Sequence, residues 1–162
     1  MKLTTKQIDQ YNNQGFLLIP DLFSQEEVSL MQAQLPGLMA EDVPGRVLEK
    51  DRKTVRALHG CYLFNKVFHN LIREPRLLEP AHQLLGSQVY LYQFKINLKA
   101  AFGGDVWPWH QDFIYWHKED GMPLPKVISL AILLDDLNEF NGPMIFIPGS
   151  HKQGILDLEA SV

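Results

Sequence analysis

The 162-residue sequence has a single cysteine, Cys61. No internal disulfide can form, and a zinc site built on several thiolates is excluded. That usage fits a reducing compartment, so the expected location is the cytoplasm. No apolar run approaches the ~20 residues needed to cross a bilayer. Met1-Lys2-Leu3-Thr4 opens no long apolar stretch, so no secretory signal is read there. Positive charge is not in excess: 15 Lys and Arg stand against 19 Asp and Glu, a net charge of -4. Neither nucleic acid nor a membrane is an expected partner. Repeats and low-complexity tracts are missing too. With 46% apolar and 21% charged residues, the composition is that of an ordinary globular chain of about one domain.

What is there divides near Gly86. Thr4 with Gln7, and Ser24 with Glu27, have the spacing of capping boxes. They predict one helix from about Thr5 to Gly15 and a second after Ser24, with Val28, Met31 and Leu35 on one stripe and a stop at Pro36-Gly37. Phe16 to Ile19 reads as a short strand ending at Pro20, and the charged stretch Glu41 to Thr54 as a loop. Two further helical patches carry Phe64, Val67, Phe68 and Leu71, then Leu77, Leu78, Ala81, Leu84 and Leu85 before Gly86. Beyond Gly86 the chain turns β-like. Val89 to Leu98 alternates, with Gln93, Lys95 and Asn97 on one face and Tyr92, Phe94, Ile96 and Leu98 on the other. Val127 to Leu134 and Met144 to Ile147 read as further strands, set off by Asn141-Gly142-Pro143 and Pro148-Gly149-Ser150. The expected organisation is a single domain over 1–162, a helical layer over 1–87 followed by antiparallel strands over 88–162.

The chemistry is concentrated in Trp107-Pro108-Trp109-His110-Gln111-Asp112-Phe113. On an extended chain the side chains of His110 and Asp112 point the same way. An imidazole and a carboxylate can then meet one metal ion, and a second histidine from elsewhere would complete the 2-His-1-carboxylate set of non-haem Fe(II) oxygenases. A bare H-x-D also occurs as a surface histidine bonded to a nearby aspartate. Trp107, Trp109, Phe113, Tyr115 and Trp116 crowd the pair; aromatics at that density suit a core or a pocket for a small organic molecule equally well. The polar face Gln93, Lys95, Asn97 reads either as a solvated strand face or as a lining that binds a carboxylate or keto group.

Together these segments resemble the phytanoyl-CoA dioxygenase family of Fe(II)/2-oxoglutarate oxygenases. The resemblance is carried by Thr5, Gln7 and Ile8 at the start, by Gly15-Phe16-Leu17-x-Ile19-Pro20, and by Ala81-His82-Gln83-Leu84-Leu85-Gly86-Ser87. It continues in Trp109-His110-Gln111-Asp112, Asp120-Gly121-Met122-Pro123, Asn141-Gly142-Pro143-Met144 and Ile147-Pro148-Gly149-Ser150-His151. It spans essentially the whole chain and is greatest towards ectoine-hydroxylase-like members. It implies a double-stranded β-helix (a jelly-roll, cupin-like α+β fold) with N-terminal helices, and a dioxygenase that uses Fe(II) and 2-oxoglutarate. His110 and Asp112 match the two proximal iron ligands. Asn97, Gln93 and Trp107 match positions around the cosubstrate, Asn97 best. Trp116, Lys95 and Ser129 match positions around the substrate. Lys95 stands where the family has arginine, and a lysine offers a point charge rather than a bidentate fork. The residues after His110 depart from the ectoine-hydroxylase pattern, which turns the reading away from ectoine itself. Asp112 argues against the related halogenases, which lack that carboxylate.

The implied reaction is hydroxylation of a small polar, zwitterionic or carboxylated substrate, with O2 consumed and succinate and CO2 released. An acyl-CoA hydroxylase and a non-catalytic remnant serving as a binding module are the alternatives. His59, His69 and His82 read as packing or surface residues, and His117 as a rim residue. His151 is a candidate third ligand, although in the family this Gly-Ser-His is not the distal one. A β-helix of this kind needs about eight strands, and only four or five can be placed. The expectation is therefore an N-terminal part of the fold, completed by a further C-terminal segment or by a homo-oligomer.

Overall fold

The structure, a computed structural model, describes residues 1–101 and 107–156. The turn-like sequence Phe102-Gly103-Gly104-Asp105, between the Gln93 to Asn97 face and His110, lies outside them. Helix α1 spans Thr5–Gln14 and α2 Gln25–Gln32. Both start as their sequences require: Thr4 and Ser24 accept hydrogen bonds from the third helical N–H, and Gln7 and Glu27 reach back to the cap backbone. Pro36-Gly37 does not end α2. It sits inside a separate short helix, α3 (Leu35–Ala40), because proline is well tolerated in a helix's first turn. Helices α4 (Lys66–Leu71) and α5 (Pro75–Leu85) fall where their apolar patches put them, and Gly86 closes α5 in the left-handed region.

The strands depart further from expectation. Strand β1 (Arg46–Leu48) lies inside the stretch read as a loop, and β2 (Val55–His59) follows it as the second arm of a hairpin. At the bend, both carboxylate oxygens of Asp51 accept bonds, from Lys53 N, Thr54 N and the Thr54 hydroxyl. An acidic side chain that organises a turn in this way makes a polar stretch a hairpin rather than a loop. Of Val89 to Leu98 only β3 (Lys95–Asn97) is a strand, pairing antiparallel with β2 so that the sheet order is β1-β2-β3. Phe16 to Ile19, Val127 to Leu134 and Met144 to Ile147 form no ladder. A ladder needs a neighbouring strand for its N–H and C=O groups, and among the described residues no strand pairs with these segments.

The core lies between this sheet and the helices. Leu58 and Cys61 are wholly buried, with Met31, Leu38, Val55, Phe68 and Ile96 around them. Burial pushes the Cys61 thiol up to about 11, which leaves it a small inert hydrophobe. Phe94 meets Phe68 and Tyr62 at ring-centroid distances of 5.7 and 5.6 Å. Ile132 and Leu134 pack against the same core from the unladdered segment, where Gln32 donates to the Leu134 carbonyl at 2.6 Å. Ile96 points inward while Lys95 and Asn97 point out, so the alternation read from the sequence places β3's polar face opposite the core. Helix α6 (Asp112–Asp120) was not foreseen. Its signals are Asp112 in the first turn, His117 and Lys118 in the last, and Gly121 in the left-handed region just beyond. No described helix is long and apolar enough to cross a membrane.

Candidate metal centre

His110 and Asp112 do not sit on one strand. His110 lies in irregular chain and Asp112 is the first residue of α6. They converge all the same, with His110 Nε2 and Asp112 Oδ1 3.2 Å apart. The turn into the helix does here what the pleat of a strand was expected to do.

Each member of the pair has its other polar atom engaged. His110 Nδ1 is 2.8 Å from the Pro108 carbonyl, an acceptor only, so Nδ1 carries the proton. In the neutral ring Nε2 then presents its lone pair towards Asp112. The Ser129 hydroxyl donates to Asp112 Oδ2 at 3.0 Å, leaving Oδ1 for His110. Two lone-pair donors facing each other repel unless a proton or a cation stands between them. An imidazole nitrogen and a carboxylate oxygen, each oriented by a hydrogen bond behind it, form a donor set that suits a divalent transition metal. Among the described residues no three His, Cys, Asp or Glu side chains gather to hold a metal ion. The pair thus supplies two ligands and no third.

Asp112 also borders an open cleft of about 260 Å³, lined by Gln93, Lys95, Tyr115, Trp116, Glu119 and Asp120. Lys95 of β3 and Gln93 just before it form one wall and α6 the other. The tie between them is Tyr92, whose hydroxyl donates to Asp120 Oδ2 at 2.5 Å and whose ring meets Trp116 edge-on at 5.7 Å. The Asp120 carboxylate holds the Tyr92 phenol in its neutral, donating form, raised to about 12. Tyr115 lies edge-on to His110 at 5.8 Å and links the cleft to the pair.

Of the residues singled out in the sequence, Gln93, Lys95, Trp116 and Asp112 come together here, with His110 beside them. Ser129 touches Asp112 and does not line the cleft. Asn97 shares β3's outward face with Lys95 and does not line the cleft either. Trp107 stacks under the Arg56 guanidinium at 4.0 Å, and Arg56 is paired at 3.0 Å with the buried Glu49. His151 is not drawn to the pair. Its Nε2 donates to Asn12 O at the end of α1 at 3.1 Å, beside a Gly149 N–H bond to Gln14 O at 2.8 Å. The carbonyls at a helix C-terminus have no partners within the helix, and this segment satisfies two of them. His69, His82 and His117 each place Nδ1 against a nearby carbonyl. Sequence reasoning missed Glu119, Asp120 and Gln111. The first two become visible once α6 is recognised, because Trp116, Glu119 and Asp120 share a helical face.

The phytanoyl-CoA dioxygenase (PhyH) family model matches residues 11–162. The chain is 46% identical to L-proline trans-4-hydroxylase of Streptomyces griseoviridis over 148 residues, 91% of this chain and 55% of that protein. It is 39% identical to an ectoine dioxygenase of Bordetella bronchiseptica over 157 residues, 94% of this chain and 51% of that one. The chain therefore spans about half the length of the curated relatives it matches. Among solved structures, EctD from S. alaskensis in its apoform superposes with a TM-score of 0.89 at 32% identity, covering 98% of this chain and 60% of that one. The same enzyme with 2-oxoglutarate and 5-hydroxyectoine superposes at 0.70, also at 32% identity, over 75% of this chain and 44% of that one. These likenesses support a cupin-like fold, of which the described residues hold a three-stranded sheet.

Proposed function

The chain belongs to the phytanoyl-CoA dioxygenase family, and from that premise we propose that it is the metal-bearing part of an Fe(II)- and 2-oxoglutarate-dependent hydroxylase of a small polar substrate. The observation that carries the reading is the approach of His110 Nε2 to Asp112 Oδ1, each oriented from behind, at the mouth of a lined cleft. His110 and Asp112 would hold the iron, with a third ligand contributed from outside the described residues or by a second chain. Bound iron with 2-oxoglutarate and O2 supplies the oxidising power for C–H hydroxylation, releasing succinate and CO2.

The chain's own residues do the rest. The Pro108 carbonyl holds the proton on Nδ1, which leaves the Nε2 lone pair of His110 free to serve as a metal ligand. Ser129 steadies Asp112. The cleft's charges are mixed: Lys95 suits a carboxylate, while Glu119, Asp120 and the Trp116 face suit an ammonium group. A zwitterion matches that pattern better than an acyl-CoA, whose phosphates would meet carboxylates. This fits what the relatives' names say of them, an L-proline hydroxylase and ectoine dioxygenases. The binding-module alternative draws on one observation, the two-ligand set.

The test is succinate release from 2-oxoglutarate, with Fe(II) and O2, across a panel of free amino acids, cyclic imino acids and acyl-CoAs. Turnover stimulated by a zwitterion and abolished in His110→Ala is the expected result. Stimulation by acyl-CoA alone would reverse the substrate assignment. No turnover in any combination, with iron unbound, would leave the binding module.

A further inference from the structure

We propose that Gln111, between the two converging side chains, is the positioning residue that sets their geometry, by clamping the motif to the 154–156 segment. The inference rests on the reading of His110 and Asp112 as metal ligands. His110 lies in chain without a ladder, and Asp112 opens α6. The relative aim of their side chains is therefore decided by the backbone at Gln111, the N-cap residue of α6, with φ -107° and ψ 122°. A polar N-cap side chain ordinarily bonds the helix's own first N–H groups, and Gln111 makes no such bond. Its carboxamide reaches 43 and 45 residues along the chain instead. Nε2 donates to Gly154 O at 2.9 Å, and Oε1 accepts from Leu156 N at 2.9 Å.

Both ends of a planar amide are thus used, on residues two apart. That is how a neighbouring strand would bond the same segment. Two such bonds fix the roll as well as the place of the side chain, and with it the direction in which the chain leaves His110 and enters α6. The anchor is itself held. Gly149 N–H and His151 bond the end of α1, and the Lys152 ammonium is 3.5 Å from Asn13 Oδ1. Three supports then surround the pair: Pro108 O behind His110, Ser129 behind Asp112, and the Gln111 clamp on the backbone between them. A neutral amide suits the position. A carboxylate there would face the Gly154 carbonyl and stand near Asp112.

The chain uses the same device elsewhere. Gln83 Oε1 accepts from Leu3 N at 2.6 Å and its Nε2 donates to Leu3 O at 3.3 Å, fastening the N-terminus to α5. Gln83→Ala is therefore the control for a clamp that is only structural. Three readouts are taken on the full chain: exchange of the Leu156 amide, the imidazole nitrogen shifts of His110, and Co(II) affinity. In Gln111→Ala, Leu156 should exchange at least tenfold faster, His110 should lose its single Nδ1–H signature, and Co(II) should bind roughly 10- to 100-fold more weakly. Gln111→Glu keeps the acceptor for Leu156 and loses the donor to Gly154. It should fall between Gln111→Ala and the parent, and it carries the test if the alanine variant does not fold. Gln83→Ala should alter none of the three. The proposal is overturned if Leu156 is released while the His110 shifts stay as in the parent, or if Gln83→Ala has the same effects. A parent chain that binds no Co(II) would instead overturn the metal reading, and the His110 and Leu156 signals would still decide the clamp.

Discussion

At Asp112 the two carboxylate oxygens are distinguished by their neighbours: Oδ2 accepts from Ser129, and Oδ1 faces His110. If Oδ1 is the metal-facing atom, loss of the Ser129 hydroxyl frees the carboxylate to rotate without removing a ligand. Ser129→Ala should then weaken Co(II) binding by roughly 10- to 100-fold and change the melting temperature little. Titration calorimetry with thermal melts checks this, and unchanged affinity would place Ser129 outside the metal's surroundings. The H-x-D pair was readable because two residues of one segment reach a common point whether the chain is extended or turning into a helix. The role of Ser129 was not, because its contact with Asp112 spans 17 residues and no local period encodes it.

Among the elements, α1 is joined to the 149–152 turn through Gln14, Asn12 and Gly15. Gly15 ends α1 at φ +87°, and a Cβ built there would run into the His151 ring. Gly15→Ala therefore meets left-handed strain of about 1–2 kcal/mol and displaces His151 from Asn12 O as well. Chemical denaturation should show a loss of at least that size, and His151→Ala in the same background should recover part of it. Glycine after a helical pattern foretold the stop, whereas its contact with a residue 136 positions later could not be foretold. A second join ties α2 to α5 through Arg76, which bonds Glu27, Glu74 and the Leu22 carbonyl. The Arg76 guanidinium holds the Glu27 carboxyl down to about 2, from an ordinary 4.5. A depressed carboxyl adds stability that is whole above its unfolded value and fades as pH falls towards the folded one. Melting temperature should thus drop between about pH 4.5 and 2, and Glu27→Gln should flatten that limb. The pair is only half-buried, so the difference should be modest and should shrink further in high salt. Equal acid limbs in the two proteins would contradict it.

Over the whole molecule, α1, α2, α4 and α5 were readable because caps and 3.6-residue periods are local, while the β1–β2 hairpin and the extent of β3 were not, because pairing is decided by what lies alongside. The apolar segments after residue 126 show this most clearly. Val127 to Leu134 and Met144 to Ile147 read as strands from composition, yet Leu130, Leu133, Ile145, Phe146 and Ile147 stand exposed, as does Phe140 between the two segments, at 88%. Apolar surface on that scale favours association. At tens of micromolar the isolated chain should self-associate, and Phe140→Glu with Ile145→Glu should shift it towards monomer in light scattering. A monomer at every concentration would contradict this. In the proposed function, His110 and Asp112 together hold the iron. This is tested most directly by an anaerobic Fe(II) titration, with and without 2-oxoglutarate, on the parent chain, His110→Ala and Asp112→Ala. One Fe(II) per chain is predicted, with 2-oxoglutarate tightening it in the parent only and each substitution weakening it at least about tenfold. The same affinity in all three proteins would contradict the claim.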